Sequence, residues 1–402
     1  KKKQTMLHSN NNNTENTEEI EEGSRSILLA IASQLTKGTD LHRVALPTFV
    51  LEPRSMLERI TDFMAHPEFI LPVSDIDDDV ERFISVVKWF LAGWHIKPKG
   101  VKKPYNPVLG EFFRCKYKYQ DGSDAYYIAE QVSHHPPASA FFYTCPQHKV
   151  IITGDLKPKS KFYGNSVASL MKGTTNFILP TRNNERYEIH MPNMYARGVL
   201  IGTMTLELGD LSTVRCEATG LVCEMDFQTK GYFSGQCNSV TAKIKREATQ
   251  EILYDITGQW SGELFIKKHI PQEKTSTVGG LLSFNKKDTT KDKQPSELMV
   301  DVRQHTKYPL SVSQHQEEKE SRRLWSQLTE SIKAGNMDKA AEAKFKVEDE
   351  ERELRKVREK NNIQWQTRFF NNAGEDYYLK GIETLNYNNV QETCQKLDTL
   401  FI

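Results

Sequence analysis

The chain has no apolar run approaching the roughly 18–20 residues that a membrane-spanning helix requires. Its first residues, Lys1 to Asn13, are polar and carry no apolar signal-peptide core, so a cytosolic protein is expected. Cysteine is scarce: Cys115, Cys145, Cys216, Cys223, Cys237 and Cys394 form no C-x-x-C pair and follow no metal-ligand spacing, and they read as reduced structural thiols. An excess of charge of one sign is also missing, with 54 Lys and Arg against 53 Asp and Glu and a net charge of +1. That balance argues against a general nucleic-acid binder. No G-x-S-x-G elbow, no H-E-x-x-H run and no internal repeat occurs. A hydrolase using His134 or His135 as base would therefore lack a nucleophile with an orienting acid, and His135, Cys145 and His148 make a weak metal set. No metal and no cofactor is expected.

What is present is enough chain, 402 residues, to bury a large core or enclose a cavity. Residues 1–23 are polar, Asn-rich and then acidic, a composition expected to stay disordered. Over 24–40, Ile27, Leu28, Ile31, Ala32 and Leu35 recur at helical spacing after Ser24 or Ser26 as a cap, with Gly38 closing the segment. Such a helix is either core or a mobile amphipathic lid. A second helical region spans Pro67 to Ile96, with Phe83, Val86, Val87, Phe90 and Leu91 as its apolar stripe.

From Gly110 to Lys268 the period changes to two. Phe113, Cys115, Tyr117 and Tyr119 alternate with Arg114, Lys116 and Lys118, Asp121-Gly122 supplies a hairpin turn, and the alternation returns at Leu206–Leu208, Leu221–Phe227 and Ile252–Ile256. Consecutive strands without intervening helices imply a largely antiparallel sheet. Rolling it into a barrel would remove its edges and leave a cavity. Residues 271–297 read as a flexible loop, Glu317 to Ile332 and Asp338 to Lys360 as helices, and 371–402 as an extension with a short apolar helical pattern.

Four segments carry chemistry suited to one anionic ligand. Lys97-Pro98-Lys99-Gly100-Val101-Lys102-Lys103-Pro104-Tyr105-Asn106-Pro107 concentrates four lysines in a loop that its prolines keep from becoming helical. Ammonium groups meet phosphate as point charges, and the Asn106 amide adds a directional donor. In Glu130-Gln131-Val132-Ser133-His134-His135-Pro136-Pro137 two adjacent imidazoles suit a kinked segment or a large anion better than a small ion. Alone, His-His before two prolines equally fits a strand ending in a turn. Lys157-Pro158-Lys159-Ser160-Lys161 reads as another basic proline loop. Lys344, Glu348 and Arg352 lie along one helix face, which by itself fits a solvated charge ladder, although Glu348 between two cations could order both.

The octapeptide EQVSHHPP resembles the fingerprint of the oxysterol-binding-protein-related lipid transfer family. Lys102 to Glu111 resembles that family's second signature and Lys344 to Arg352 its carboxy-terminal basic element, and the likeness runs from Leu41 to Phe370. It implies an α+β, β-rich fold, an incomplete antiparallel β-barrel around a lipid tunnel, with an amino-terminal helical lid over 24–40, the lipid-binding domain over 41–370 and carboxy-terminal helices. It implies that Lys103, Asn106, His134, His135, Lys344 and Arg352 coordinate the headgroup of phosphatidylinositol 4-phosphate, with Glu348 ordering the cations. Leu46 to Glu52, followed by Ser55 to Glu58, resembles the branch that exchanges phosphatidylserine for that phosphoinositide. There Leu46 and Thr48 would lie near the serine headgroup, with Asn106 and Ser160 donating to it. The function so implied is non-enzymatic lipid exchange by a monomer, peripheral to anionic membranes at endoplasmic reticulum contact sites. The alternatives are a sterol and phosphatidylinositol 4-phosphate exchanger, or a lipid sensor or scaffold.

Overall fold

In the computed structural model the described residues are 17–18, 22–40, 46–97, 100–230, 237–269, 295–304, 307–374 and 376–401. Most of the expected polar tail, most of the loop over 271–297, and Pro98-Lys99 lie outside them. The strands from Phe112–Lys118 to Glu297–Asp301 join a 16-stranded sheet that is antiparallel throughout, as the alternating pattern predicts. Its two ends, Glu297–Asp301 and Leu310–Ser311, do not pair with each other, so the barrel is incomplete. The helix Asp79–Ala92 lies against its inner face. Asp78 caps it by accepting from the Val80 and Glu81 amides at 2.9 and 2.8 Å. Its stripe of Phe83, Val86, Val87 and Phe90 meets Phe113, Tyr127, Phe141, Phe177 and Tyr187 from the strands in one continuous core.

The strand Asp124–His134 is apolar on both faces because both are covered. Ala125, Tyr127 and Ala129 face the inner core, whereas Tyr126, Ile128 and Val132 face a second cluster. That cluster is completed by Phe370, Leu379, Tyr387 and Leu397 from the carboxy-terminal segment, which therefore packs on the outer side of the sheet. The segment opens with a hairpin, Phe370–Ala373 and Asp376–Leu379, before its helix Val390–Asp398. Arg114 donates to the Leu400 carbonyl at 2.7 Å, and the carboxylate of Glu130 accepts from the Arg368 and Phe369 amides at 2.7 Å each.

Two long strands fork the sheet. Val150–Phe162 pairs through Ile151–Gly154 with Thr175–Leu179, then through Lys157–Phe162 with Ser166–Lys172. Met204–Cys216 divides in the same way between Asn193–Arg197 and Glu185–His190. The sequence Lys157 to Lys161, expected as a loop, is thus the second half of a strand. Pro158 is tolerated there because a forked strand is an edge for part of its length.

Other boundaries also differ from expectation. The amino-terminal helix runs Glu22–Ala32, so Ser24 and Ser26 lie inside it, and the Ser26 hydroxyl donates back to the Glu22 carbonyl at 3.0 Å. The helix expected over Glu317 to Ile332 is divided into Ser321–Leu324 and Ser326–Lys333 at Trp325, whose indole is drawn inward to Glu111. The charged helix extends over Met337–Lys360, with the Asn336 side chain accepting from the Lys339 amide. No helix among the described residues is long and apolar enough to cross a membrane.

Candidate functional site

Glu111 organises the site from below. Its buried carboxylate accepts from Ser55 Oγ at 2.5 Å, Ser321 Oγ at 2.7 Å, Trp325 Nε1 at 2.9 Å and the Val108 amide at 3.1 Å. Four donors ionise a carboxylate readily, yet burial outweighs them and raises the Glu111 pKa. The result joins three separate pieces of chain. The strand Lys103–Tyr105 runs parallel to Leu51–Ser55, and Leu51, Tyr105 and Val108 share a small core with Trp325, Leu328 and Ala340. On the other side, Gly110 donates to the Gln131 carbonyl at 3.0 Å and Gln131 donates to the Glu111 carbonyl at 2.8 Å, which sets the Lys102–Glu111 segment beside the histidine strand.

The two histidines stand at the tip of a hairpin between Asp124–His134 and Pro137–Cys145, with a bulge between Gln131 and Ser133 and a cis bond between His135 and Pro136. The strand ends at His134 in a turn, as the plain reading of His-His before two prolines has it, and the turn leads directly into the next strand of the sheet. The Ser133 hydroxyl donates to the Pro136 carbonyl at 2.7 Å and fixes the turn. One ring nitrogen of His134 bonds the Pro107 carbonyl, while Nδ1 is buried with no protein partner among the described residues. Desolvation, then the neighbouring His135, lowers the His134 pKa below the usual histidine range.

These elements wall a cleft of about 1100 Å³. The expected residues Lys103, Asn106, His134, His135, Lys344, Glu348 and Arg352 all line it. Lys103 comes from the signature segment and the last three from the basic helix. Desolvation, followed by the Lys344 ammonium, lowers the Lys103 pKa, with Glu348 opposing. Glu348 pairs with Lys344 at 2.8 Å, but Arg352 pairs with Asp349, so Glu348 orders one of the two cations rather than both. Five cationic side chains line the cleft (Lys103, Lys344, Arg352, Arg355, Arg358) against three carboxylates (Glu348, Glu351, Glu359). The surplus suits an anion.

A second, apolar cavity of about 280 Å³ opens beside the first. Leu28, Ile31, Ala32 and Leu35 of the amino-terminal segment line it, together with Met171, Met194, Leu206 and Leu208 from the forked strands and their partners, and Trp260 from the turn after Ile252–Gln259. The helix thus turns Leu28, not Ile27, inward, and Ile27 is 50% exposed. Leu46, Lys103 and Pro104 line both cavities, so the cationic cleft and the apolar tunnel meet at these three residues. Ser160 lines the tunnel, since its strand position is opposite to Lys159 and Lys161. Thr48 lines neither; it is buried, and its hydroxyl donates to the Met337 carbonyl at 3.4 Å. Of the other lysines expected at the anion, Lys97 and Lys102 line the tunnel wall, and Lys102 donates to the Phe49 carbonyl at 2.9 Å.

Sequence reasoning passed over Arg355, Arg358 and Trp365. Arg355 donates to His135 Nε2 at 2.8 Å, Arg358 pairs with Glu351 and lies over the Trp365 ring, and Trp365 packs on Gly110. The helical spacing that selected Lys344, Glu348 and Arg352 continues through Arg355 and Glu359, and following that stripe further would have found Arg355. Among the described residues no group of three His, Cys, Asp or Glu side chains could hold a metal. His148 instead pairs with Asp121 at 2.6 Å.

A profile of the oxysterol-binding protein family matches residues 30–395. An oxysterol-binding protein homolog of Schizosaccharomyces pombe is 42% identical over 392 residues, covering 95% of this chain and 78% of that protein. Two solved structures share the fold. The Osh1 ORD domain in complex with cholesterol superposes with a TM-score of 0.71 at 24% identity, over 91% of this chain and 88% of that one. The Osh3 ORD of Saccharomyces cerevisiae in complex with PI(4)P gives 0.62 at 20%, over 92% of each.

Proposed function

This chain belongs to the oxysterol-binding protein family, and on that premise we propose that it is a non-enzymatic carrier exchanging phosphatidylserine for phosphatidylinositol 4-phosphate between membranes. The observation that carries this reading is the junction at Leu46, Lys103 and Pro104, where a cation-rich cleft opens into an apolar tunnel. A ligand that fills both has an anionic head and hydrocarbon tails. Keeping tails from water is worth about 0.8 kcal/mol per methylene, which makes a closed carrier necessary for transfer through the aqueous phase.

In this reading Lys103, Asn106, His134, His135, Lys344 and Arg352 hold the phosphates, and Glu348 positions Lys344. Leu46 packs on the second lipid where the cavities meet, with Asn106 and Ser160 donating to its head; Thr48 ties that segment to the basic helix. Because both heads need the same junction, one lipid enters only after the other leaves. Net direction follows the phosphoinositide gradient, without ATP. The carrier works in the cytosol at membrane contact sites with the endoplasmic reticulum. A sterol in place of phosphatidylserine is the second reading, favoured by the apolar lining of the tunnel and by the cholesterol held in the Osh1 domain.

Native mass spectrometry of the lipids that co-purify with the chain tests this directly. Phosphatidylserine and a monophosphorylated phosphoinositide, one per protein and never together, are expected. Sterol as the main cargo would replace the first reading with the second, and phosphatidylcholine alone would contradict both.

A further inference from the structure

The tunnel carries charge on a wall that hydrocarbon tails alone would not require. Arg59 and Asp62 line it, on the segment between Met56 and Phe63. Both belong to a closed ring of two arginines and two carboxylates. Arg54 donates to the two oxygens of Asp62 at 2.8 and 2.6 Å and holds its Nε 3.5 Å from Glu52, while Arg59 donates from Nη1 to Glu52 at 3.1 Å and holds its Nε 2.8 Å from Asp62. Glu52 is buried.

The ring is neutral, so it exerts no general pull on an anion. Its donors, however, are unequally spent. All three nitrogens of Arg54 face carboxylate oxygens, whereas Arg59 uses Nε and Nη1 and leaves Nη2 with no hydrogen bond to a described residue. Trp94 and Trp260 line the same tunnel and also have unpartnered nitrogens, but those indole nitrogens are buried in the wall, and Arg59 Nη2 is not. Withdrawing ion pairs from water costs more than the pairs return unless their remaining donors are met. Arg59 Nη2 is a donor still to be met.

The depth of Arg59 in the tunnel indicates what meets it. Its partner Glu52 follows Leu51, the register partner of Lys103, and Lys103 stands where cleft and tunnel join. Val50 and Met56, at the two ends of the strand Leu51–Ser55, line the tunnel with Arg59. A lipid with its head in the cleft and its tails in the tunnel has its glycerol at the junction and its ester carbonyls just inside. A carbonyl oxygen is an uncharged acceptor, which suits a donor held in a neutral ring. A sterol has no ester to offer at this depth.

We infer that Arg59 is a specificity-determining residue of the tunnel, held by Glu52 and Asp62 so that Nη2 donates to an ester carbonyl of the bound glycerophospholipid, and that the tunnel thereby selects ester-linked tails. The inference rests on the carrier reading.

The test measures extraction from vesicles of diester phosphatidylserine and of its dialkyl ether analogue with the same chain lengths, by the native chain and by Arg59→Lys. Lysine keeps the charge that balances the ring and loses the free arm of the guanidinium. The native chain should extract the diester about tenfold better, the scale of one hydrogen bond to a charged group. Arg59→Lys should extract the two forms alike. Because the ratio is taken within one preparation, a smaller folded fraction cancels, and Arg59→Gln is read in the same way should the Lys variant fail to fold. Equal extraction of both forms by the native chain, or a preference that survives in the variants, would overturn the inference and leave the carrier reading standing. A native chain that extracts cholesterol and neither form of phosphatidylserine defeats the first reading of the cargo instead, and the diester and diether forms of phosphatidylinositol 4-phosphate then decide the role of Arg59 by the same ratio.

Discussion

Arg355 Nη1 lies 2.8 Å from His135 Nε2 and donates to it. A guanidinium keeps its protons at every accessible pH, so that imidazole nitrogen presents a lone pair. The His134 ring stands edge-on to His135 with centroids 4.8 Å apart, and its own pKa is lowered by desolvation and by that neighbour. His134 therefore holds back a proton that a phosphate would use as a hydrogen-bond donor.

Phosphoinositide binding should accordingly take up about one proton at His134. The free-state pKa is lowered and a bound dianion would raise it. Affinity is therefore greatest at low pH and falls as pH rises through the bound-state value. Calorimetry in buffers of different ionisation enthalpy, from about pH 6 to 8, should show the uptake, and His134→Ala should abolish it. For folding itself the dependence is opposite: the unfolded chain binds this proton more readily, so the contribution of His134 to stability declines as pH falls below about 6.5. Affinity independent of pH in the native chain would remove His134 from the phosphate.

His134→Ala combined with His135→Ala should abolish phosphoinositide extraction from vesicles and leave phosphatidylserine extraction and the melting temperature largely intact. Imidazolium donors serve a phosphate dianion more than a serine carboxylate. Both histidines sit at a hairpin tip, and His135 is exposed, so little packing is lost. Equal loss of both lipids would show that the two heads use the histidines alike.

Leu46→Asp places a carboxylate at the junction of cleft and tunnel. Covering it with lipid leaves a charge without a partner, at a cost of several kcal/mol. Phosphatidylserine transfer should fail first, because the Asp repels the serine carboxylate, while Lys344 and Arg352, proposed to hold the phosphoinositide, line the cleft and not the junction. Normal phosphatidylserine carriage with poor sterol uptake would reverse the assignment of the second lipid.

Gly110 has φ +74°, and a Cβ there would stand 2.4 Å from Trp365 Cζ2. Gly110→Ala should destabilise the fold by about 1–2 kcal/mol through backbone strain, and should also drive Trp365 off the cleft wall. Adding Trp365→Ala removes the clash but not the strain. Thermal melts of the two single variants and the double variant should show a coupling between these positions, and purely additive losses would mean that the indole does not rest on this glycine in solution.

The sheet was legible because its period-two alternation recurs in several separate strands, and the helix Asp79–Ala92 because its stripe stands out at helical spacing. The cleft was legible only through the resemblance, since Lys103, His134 and Lys344 are far apart in sequence and converge through Glu111. That carboxylate reads as one more charged residue until its four donors are seen. The fork of Val150–Phe162 was hidden because a basic, proline-containing segment has the composition of a loop, although its pairing changes partner rather than ending. Docking of the carboxy-terminal segment was equally hidden, because a strand apolar on both faces does not announce what covers its outer side.

The central claim is that one junction serves two lipids in turn. The direct test follows both lipids at once between two vesicle populations, phosphatidylserine starting in one and phosphatidylinositol 4-phosphate in the other. The account predicts that phosphatidylserine transport accelerates when the acceptor vesicles contain the phosphoinositide, that the two fluxes run in opposite directions at about equal rates, and that Lys103→Ala lowers both in the coupled assay. Phosphatidylserine transport that ignores the phosphoinositide in the acceptor, with the phosphoinositide left in place, would contradict it.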